Sequence, residues 1–393
     1  MLIARLKRSQ ERKLLNGYPW VFRDEVEELQ GNAFLGSEVN VFSSEYRFIG
    51  KGLYNPFSHR SIMFLTTKEE PINGEFILSR LIKAVNWRQK TFTEPYYRLF
   101  HSEADGLPGF IADRYGDIIV VQFRNAIMEL FKNEIIKHLI DIVSPITVYE
   151  RSDFQMQVGE KIQRNVGLLY GAEPPASLTI KENGISYLVD VVKSQKTGFF
   201  YDQRDSRLFA RRIVSEFALR RGLDLFTYTG GFALNMALSG AQVTAVDKSS
   251  FDLELGKQNA ALNNLSKKIE FLQSDAFDYL ETLEKREQFD IVIIDPPSLI
   301  KGKHEIPKGI KLLKRLVNNS LKAIRNEGVI GLCSCAYNLT LDHLVEALRK
   351  ASTDKGIFYR FLGVTYQSRD HPWLFQIPET LYLKCLWAVV EKR

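Results

Sequence analysis

The chain has 393 residues, of which 45% are hydrophobic and 25% charged, with a formal net charge of +6. This length and composition indicate a globular protein of enzyme size with two or three domains, and so modest a positive charge is only a weak sign of a polyanionic partner. Three cysteines without regular spacing do not resemble the framework of a secreted disulfide-rich protein. Because no eighteen-residue apolar run and no signal-peptide core is present, we expect a cytoplasmic protein with no membrane association.

The first part of the chain reads as a series of short strands. Residues 37–44, 47–55 and 61–67 are rich in β-branched and aromatic side chains, and Gly, Asn, Pro and Ser separate them. This pattern predicts a small all-β domain over residues 1–73. The basic side chains near its start form either a patch for RNA or an ordinary solvated face. They are Arg5, Lys7, Arg8, Arg12 and Lys13.

A second domain is predicted to begin after a charged segment that contains Pro and Gly, at 67–76. An amphipathic helix over 77–92 opens it, and strands, a helix over 127–143 and a further strand at 146–153 follow. This order predicts a small α+β domain over residues 74–176.

From residue 177 the pattern changes to an alternation of apolar strands and helices. The strand candidates are 222–228, 241–247, 268–275, 289–297 and 328–335. Such alternation implies parallel strands joined by right-handed crossovers, so we predict a doubly wound, Rossmann-like α/β domain over 177–393. Ligands of these sheets bind at the carboxyl ends of the strands.

The first strand of this domain leads into a glycine turn that favours S-adenosylmethionine as the cofactor. Gly230 and Gly231 open directly into a helix, but neither the G-x-G-x-x-G pattern nor a P-loop lysine is present. Asp247 ends the second strand, where it can accept hydrogen bonds from ribose hydroxyls. Asp275 ends the third and could receive the adenine amino group. The alternative is a plain tight turn with the two aspartates as helix N-caps.

The fourth strand ends in "DPPS", with Asp295 as its first residue. Two prolines fix an extended loop with exposed carbonyls, which suits the edge of a flat base.

These motifs together resemble bacterial 23S ribosomal RNA cytosine-C5 methyltransferases, which combine an N-terminal PUA RNA-binding domain with a class I S-adenosylmethionine-dependent methyltransferase domain. The resemblance covers nearly the whole chain. It rests on "NGYPWVF" (16–22), "GLYNPFS" (52–58), "EADGLPGFIADRYGD" (103–117), "YERSD" (149–153), "QKTGFFYDQRDSR" (195–207), "FTYTGGFAL" (226–234), "DPPS", the "SC" at 334–335 and "DHP…PETLYLK" (370–384).

The resemblance implies a covalent mechanism that requires a cysteine. Carbon 5 of cytosine is a poor nucleophile until a thiolate adds to carbon 6, and Cys335 matches the family's serine-cysteine motif. We expect Cys335 at the end of the fifth strand, Cys333 in the core, and Asp295 on the polar edge of the base. Ala336 departs from the serine that relatives often carry there. The alternative is that Cys335 also fills the core.

The resemblance also suggests further contacts of the cofactor and of RNA. Gln203 and Arg204 are expected at the methionine moiety and its carboxylate, and Tyr228 and Asp295 in the same cofactor site. Phe199 and Phe200 either pack on adenine or wedge a hairpin. Tyr18, Trp20 and Arg23 could stack on RNA, although burial suits Trp20 better. His371 suits a structural role, and the cysteine spacing argues against zinc.

The expected partner is therefore ribosomal RNA, and the sequence leaves a homodimer open. Two other functions compete with cytosine-C5 methylation. One is methyl transfer to a guanine or adenine nitrogen, which has a lone pair and needs no cysteine. The other is a non-catalytic RNA-binding assembly factor, which the intact set of Gly230, Gly231, Asp247, Asp295 and Cys335 argues against.

Overall fold

The computed structural model describes residues 2–153, 164–283, 289–353 and 355–393. The chain divides into two compact units, and each is assembled from separate segments. The first contains Met1–Leu178, Asp190–Phe199 and Arg369–Thr380. The second contains Thr179–Val189, Phe200–Ser368 and Leu381–Arg393. The finer division into domains with borders at 73 and 176 stays a prediction.

The first unit begins with a six-stranded sheet in the order β2-β6-β5-β4-β1-β3. Its strands are β1 (Leu2–Leu6), β2 (Trp20–Val21), β3 (Val26–Gln30), β4 (Glu38–Phe42), β5 (Phe48–Tyr54) and β6 (Ile62–Thr66), and helix α1 (Glu11–Leu15) follows β1. The three strands predicted in this region are confirmed as β4, β5 and β6. A sheet of short strands suits the many turn residues of this segment.

Strand β1 was not predicted, because it is short and its alternation of buried and exposed residues lies within a charged segment. Leu2, Ala4 and Leu6 are buried, whereas Arg5 lies on the opposite face and contacts Glu27 and Glu28 at 2.9 and 3.1 Å. Lys13 pairs in the same way with Glu25. The acidic segment "DEVEE" (24–28) therefore neutralises part of the basic cluster, and Lys7, Arg8 and Arg12 remain as its exposed members.

A second sheet in the same unit has five strands in the order β11-β10-β9-β8-β7. Its elements are α2 (Gly74–Thr91), β7 (Tyr96–His101), β8 (Phe110–Tyr115), β9 (Ile118–Phe123), α3 (Ala126–Leu130), α4 (Lys132–Val143), β10 (Thr147–Arg151) and β11 (Val166–Gly171). The helix predicted over 127–143 is two helices, because Phe131 leaves helical geometry (φ −92°, ψ 6°) where its ring packs on the core.

The two sheets of this unit share one hydrophobic core. Trp20, Leu53 and Met63 from the first sheet belong to the same buried cluster as Phe76 and Ile77 of α2. Removal of residues 1–73 would therefore expose apolar surface on the remainder.

The second unit is built around a seven-stranded sheet in the order β16-β15-β14-β17-β18-β20-β19. Its elements are β12 (Leu178–Glu182), β13 (Ile185–Val189), α5 (Arg204–Glu216), β14 (Arg221–Leu225), α6 (Gly231–Leu238), β15 (Gln242–Asp247), α7 (Ser250–Leu262), β16 (Ile269–Gln273), α8 (Ala276–Thr282), β17 (Phe289–Ile294), α9 (Ile306–Ala323), β18 (Ile324–Ser334), α10 (Leu341–Ser352), β19 (Ile357–Tyr366) and β20 (Lys384–Lys392).

The predicted doubly wound sheet is confirmed. Strands β14 to β18 pair in parallel, and β20 joins β18 and β19 in antiparallel fashion. The register sets Leu225 beside Ile294 and Ile294 beside Leu332, so that β14, β17 and β18 end at one edge. Within the described ranges, no helix has the length and apolar character needed to cross a bilayer.

Candidate active site

The loop after β14 has a backbone that only a few residue types adopt easily. Phe226 and Tyr228 have φ values of 63° and 53°, and Gly230 has φ 85°. Gly230 is also the N-cap of α6, and a Cβ atom there would lie 3.3 Å from the ring of Phe271. Glycine therefore meets both the conformational and the spatial demand of this turn.

Asp247 holds this loop from the end of the neighbouring strand. Its carboxylate accepts hydrogen bonds from the backbone N–H groups of Tyr228 and Ser249, both at 3.0 Å. The N-cap of α7 is Ser249, whose hydroxyl accepts from the N–H of Asp252. Asp247 is thus not a helix N-cap, and its role towards ribose stays a prediction.

Asp275 makes the contacts of an ordinary N-cap. It is exposed, and its carboxylate accepts a hydrogen bond of 2.8 Å from the N–H of Phe277 at the start of α8. The alternative that the sequence analysis left open is therefore present here. This geometry does not test a contact with adenine.

Asp224 is a fully buried carboxyl that the sequence analysis did not single out. One oxygen, Oδ2, accepts from the Thr227 hydroxyl at 2.5 Å and from the Ala233 N–H at 2.9 Å. The other, Oδ1, is buried without a hydrogen-bond partner among the described residues. Burial raises the pKa of Asp224 to about 7. An unsatisfied buried acceptor of this kind is uncommon in proteins and marks Asp224 as a candidate ligand contact.

Asp295 follows the last residue of β17, as predicted, and lies among other carboxyl groups. Burial, together with the negative charges of Asp202 and Asp224, raises its pKa to about 7. Gln203 opposes this shift with a hydrogen bond to the carboxyl. At neutral pH the Asp295 carboxyl can therefore both donate and accept hydrogen bonds.

The two residues predicted at the methionine moiety are both buried but differ in their surroundings. Gln203 reaches Asp295, and its Oε1 lies 3.5 Å from the sulfur of Cys385. Arg204 lies over the ring of Tyr201, and its Nε is 3.6 Å from a carboxylate oxygen of Glu182. The role of Arg204 towards a cofactor carboxylate stays a prediction.

The cysteines separate into a buried pair and one thiol. Cys333 and Cys385 are opposite each other on the antiparallel strands β18 and β20, and their sulfurs are bonded. Cys333 is fully buried, as expected, but the sequence analysis did not predict its pairing. Cys335 is half-buried, keeps its thiol and lies one residue past the end of β18.

Lys384 is a second residue that the sequence analysis missed as a functional candidate. It is buried, and its ammonium donates to the carbonyl oxygens of Ala336 at 2.7 Å and Tyr382 at 3.0 Å. Burial lowers its pKa to about 8, and the nearby Cys335 opposes that shift.

Several other candidates have structural surroundings. Trp20 is buried, with its indole N–H directed to Glu103 at 3.4 Å. His371 is buried and hydrogen-bonded to Asp370. The ring of Phe200 contacts that of Tyr228 edge-on. The ring of Tyr18 lies below the ammonium of Lys13. Arg23 donates hydrogen bonds to the carbonyl oxygens of Pro56 and Ser58. Phe199 is buried.

A sequence signal for the two missed residues does exist. Asp224 in "GLDLF" and Lys384 in "YLKCL" are charged residues inside apolar strands, where a charge requires a partner or a function. Together with the glycine turn and Asp247, the buried acceptor of Asp224 gives this strand edge hydrogen-bond acceptors of the kind that S-adenosylmethionine requires. The turn excludes side-chain bulk, and the two acids suit an ammonium and ribose hydroxyls.

Comparisons with protein families and known proteins show which family the chain resembles. A family model described as S-adenosylmethionine-dependent methyltransferase matches residues 154–355, and a model described as PUA-like domain matches residues 4–66. Proteins named ribosomal RNA large subunit methyltransferase I from Shigella boydii serotype 4 and Escherichia coli O157:H7 are each 34% identical over 387 residues. Each alignment covers 96% of this chain and 97% of the relative.

Solved structures show the same fold. A protein from Streptococcus mutans described as a SAM-dependent methyltransferase superimposes with a TM-score of 0.83 at 23% identity, covering 99% of this chain and 100% of that one. A methyltransferase complexed with SAH gives the same TM-score and coverage at 22% identity.

Proposed function

The chain belongs to the ribosomal RNA large subunit methyltransferase I family and uses S-adenosylmethionine, and from this premise we propose that it forms 5-methylcytosine in 23S ribosomal RNA through a covalent adduct of Cys335. A cytoplasmic location follows from this substrate. The observation that carries the proposal is the position of the Cys335 thiol, one residue past β18 and beside the strand that leads into Asp295.

Cys335 has the chemistry that a carbon nucleophile requires. Its thiolate adds to carbon 6 of the cytosine, which makes carbon 5 electron-rich. Bound S-adenosylmethionine supplies an electrophilic methyl group. Loss of the carbon 5 proton to solvent and expulsion of the Cys335 thiolate then restore the aromatic ring and the enzyme. A guanine or adenine nitrogen has a lone pair and would leave this thiol without a task, so methylation of nitrogen is not favoured.

Asp295 suits the polar edge of a flipped-out cytosine. That edge presents the N4 amino group as a donor and N3 as an acceptor. A carboxyl with a pKa raised to about 7 holds a proton in part of the population at neutral pH, so one oxygen can donate to N3 while the other accepts from N4. A proton shared with N3 withdraws electrons from carbon 6 and assists attack by the thiolate.

The residues at the ends of β14 and β15 would hold the cofactor. We assign Asp247 to the ribose hydroxyls, the unsatisfied oxygen of Asp224 to the ammonium of the methionine moiety, and the turn at Gly230 and Gly231 to the close approach of the ligand. Gln203, Arg204, Tyr228 and Asp275 remain proposed contacts. The PUA-like domain, with its exposed Lys7, Arg8 and Arg12, is assigned to RNA binding.

Nucleoside mass spectrometry tests the proposal. Large-subunit ribosomal RNA from a strain that lacks the gene is incubated with the protein and S-adenosylmethionine, digested and compared with untreated RNA. The expected gain is 5-methylcytidine. A gain of a nitrogen-methylated guanosine or adenosine instead would refute the cytosine-C5 assignment, and Cys335→Ala provides the matched inactive control.

A further inference from the structure

Lys384 contacts the chain segment that carries Cys335. It is the first residue of β20 and is opposite Ser334, the last residue of β18, so that Cys335 is the next residue along the chain. Its ammonium donates to the carbonyl of Ala336, the residue directly after Cys335. This contact uses the backbone carbonyl, so it does not depend on the side chain at position 336.

The ammonium is held in position by hydrogen bonds to two backbone carbonyls. A second hydrogen bond, to the Tyr382 carbonyl, restrains it further, and the side chain is 3% exposed. The register partners of Lys384 are Ser334 on β18 and Tyr366 on β19, and neither carries a charge at neutral pH. The hydroxyl of Tyr382 donates a hydrogen bond of 2.7 Å to Asp202.

We propose that Lys384 is a positioning residue whose buried ammonium stabilises the thiolate of Cys335 and aligns it for attack. The inference rests on the proposed function, because it names what makes Cys335 nucleophilic. The thiol proton passes to solvent, the ammonium keeps its own proton, and the adduct forms as the thiolate electron pair bonds to carbon 6. A nearby cation lowers the pKa of a thiol, and by the same interaction the thiolate raises the pKa of Lys384.

Burial limits the pH range over which Lys384 can act. Its pKa is lowered to about 8, so the ammonium is charged below that pH and loses its charge above it. The Lys384 ammonium therefore stabilises the Cys335 thiolate at neutral pH. At that pH a cysteine with an ordinary pKa of about 8.5 would be mostly protonated.

Alkylation of Cys335 tests the inference without RNA or cofactor. The full-length protein is treated with iodoacetamide between pH 5.5 and 9.5, and the rate of modification at Cys335 is followed by peptide mass spectrometry. For the wild type we expect an apparent thiol pKa below 8. In Lys384→Met the profile should move up by about one pH unit, with a roughly tenfold lower rate at pH 7. Lys384→Arg should restore most of the wild-type profile.

Lys392→Met is the matched control, because it removes a lysine from the other end of the same strand. Its profile should equal that of the wild type. A folded Lys384→Met variant with a wild-type profile would overturn the inference. If that variant does not fold, the pH profile of the wild type tests the inference by itself. An apparent pKa of 8.5 or higher for the Cys335 thiol would then reject the role of Lys384. Because the reaction needs no methyl transfer, this result is independent of whether cytosine is the substrate.

Discussion

Replacement of Asp247 by alanine tests the cofactor site and should weaken S-adenosylmethionine binding strongly. The carboxylate accepts two backbone hydrogen bonds at 3.0 Å, from Tyr228 and Ser249, and so shapes the turn that we propose receives the ligand. Hydrogen bonds to a charged group contribute about 1.5 to 3 kcal/mol, which corresponds to a roughly ten- to 150-fold rise in Kd. Calorimetric titration with S-adenosylmethionine measures this Kd directly.

Two further variants separate the contributions of Asp247. Asp247→Asn keeps the shape but has one acceptor oxygen for two N–H donors, so its affinity should lie between those of the wild type and Asp247→Ala. Asp278→Ala, at an exposed position of α8, should bind like the wild type. Unchanged affinity in a folded Asp247→Ala protein would remove Asp247 from the cofactor site.

Three other changes have distinct expected outcomes. Cys335→Ser should abolish turnover and leave cofactor affinity unchanged. Cys333→Ser should lower the unfolding midpoint and keep catalysis. The reverse pattern would contradict the assignment of Cys335 as the nucleophile. Replacement of Lys7, Arg8 and Arg12 by alanine should weaken RNA binding and flatten its salt dependence, and an identical slope would exclude them as phosphate contacts. The pKa of Asp224 is about 7 in the folded state and 3.8 in the unfolded state. Its contribution to the free energy of unfolding is therefore complete below pH 3.8 and is lost as pH rises through 7. Denaturant unfolding should therefore show a loss of stability between pH 5 and pH 8, of which the Asp224 share, roughly 3 kcal/mol, is removed in Asp224→Asn; equal pH slopes would refute it.

The parallel sheet could be predicted because its strands are uninterrupted apolar segments. All five predicted strands, from β14 to β18, are present, since burial on both faces leaves a strong signal in the sequence. β1 was missed because its three buried residues alternate with Ile3 and Arg5 beside a basic cluster. The break at Phe131 was missed because tertiary packing of one ring outweighs helix periodicity.

The position of a candidate site residue could be predicted from the sequence only where that residue ends a strand. Asp247, Asp295 and Cys335 have that position, and chain order alone brings them to one edge of the sheet. Asp224 and Lys384 depend on neighbours that are distant in sequence, such as Ala336 for Lys384. The pairing of Cys333 with Cys385 likewise follows from the antiparallel β20, which the sequence pattern did not indicate.

Covalent trapping on RNA that contains 5-fluorocytidine tests the central claim most directly. Fluorine at carbon 5 cannot leave as a proton does, so elimination stalls and the enzyme stays attached to the base. We predict a stable protein–RNA adduct that forms only with S-adenosylmethionine present and maps by peptide mass spectrometry to Cys335. Absence of an adduct from an enzyme that methylates unmodified RNA, or an adduct at any other residue, would contradict the mechanism.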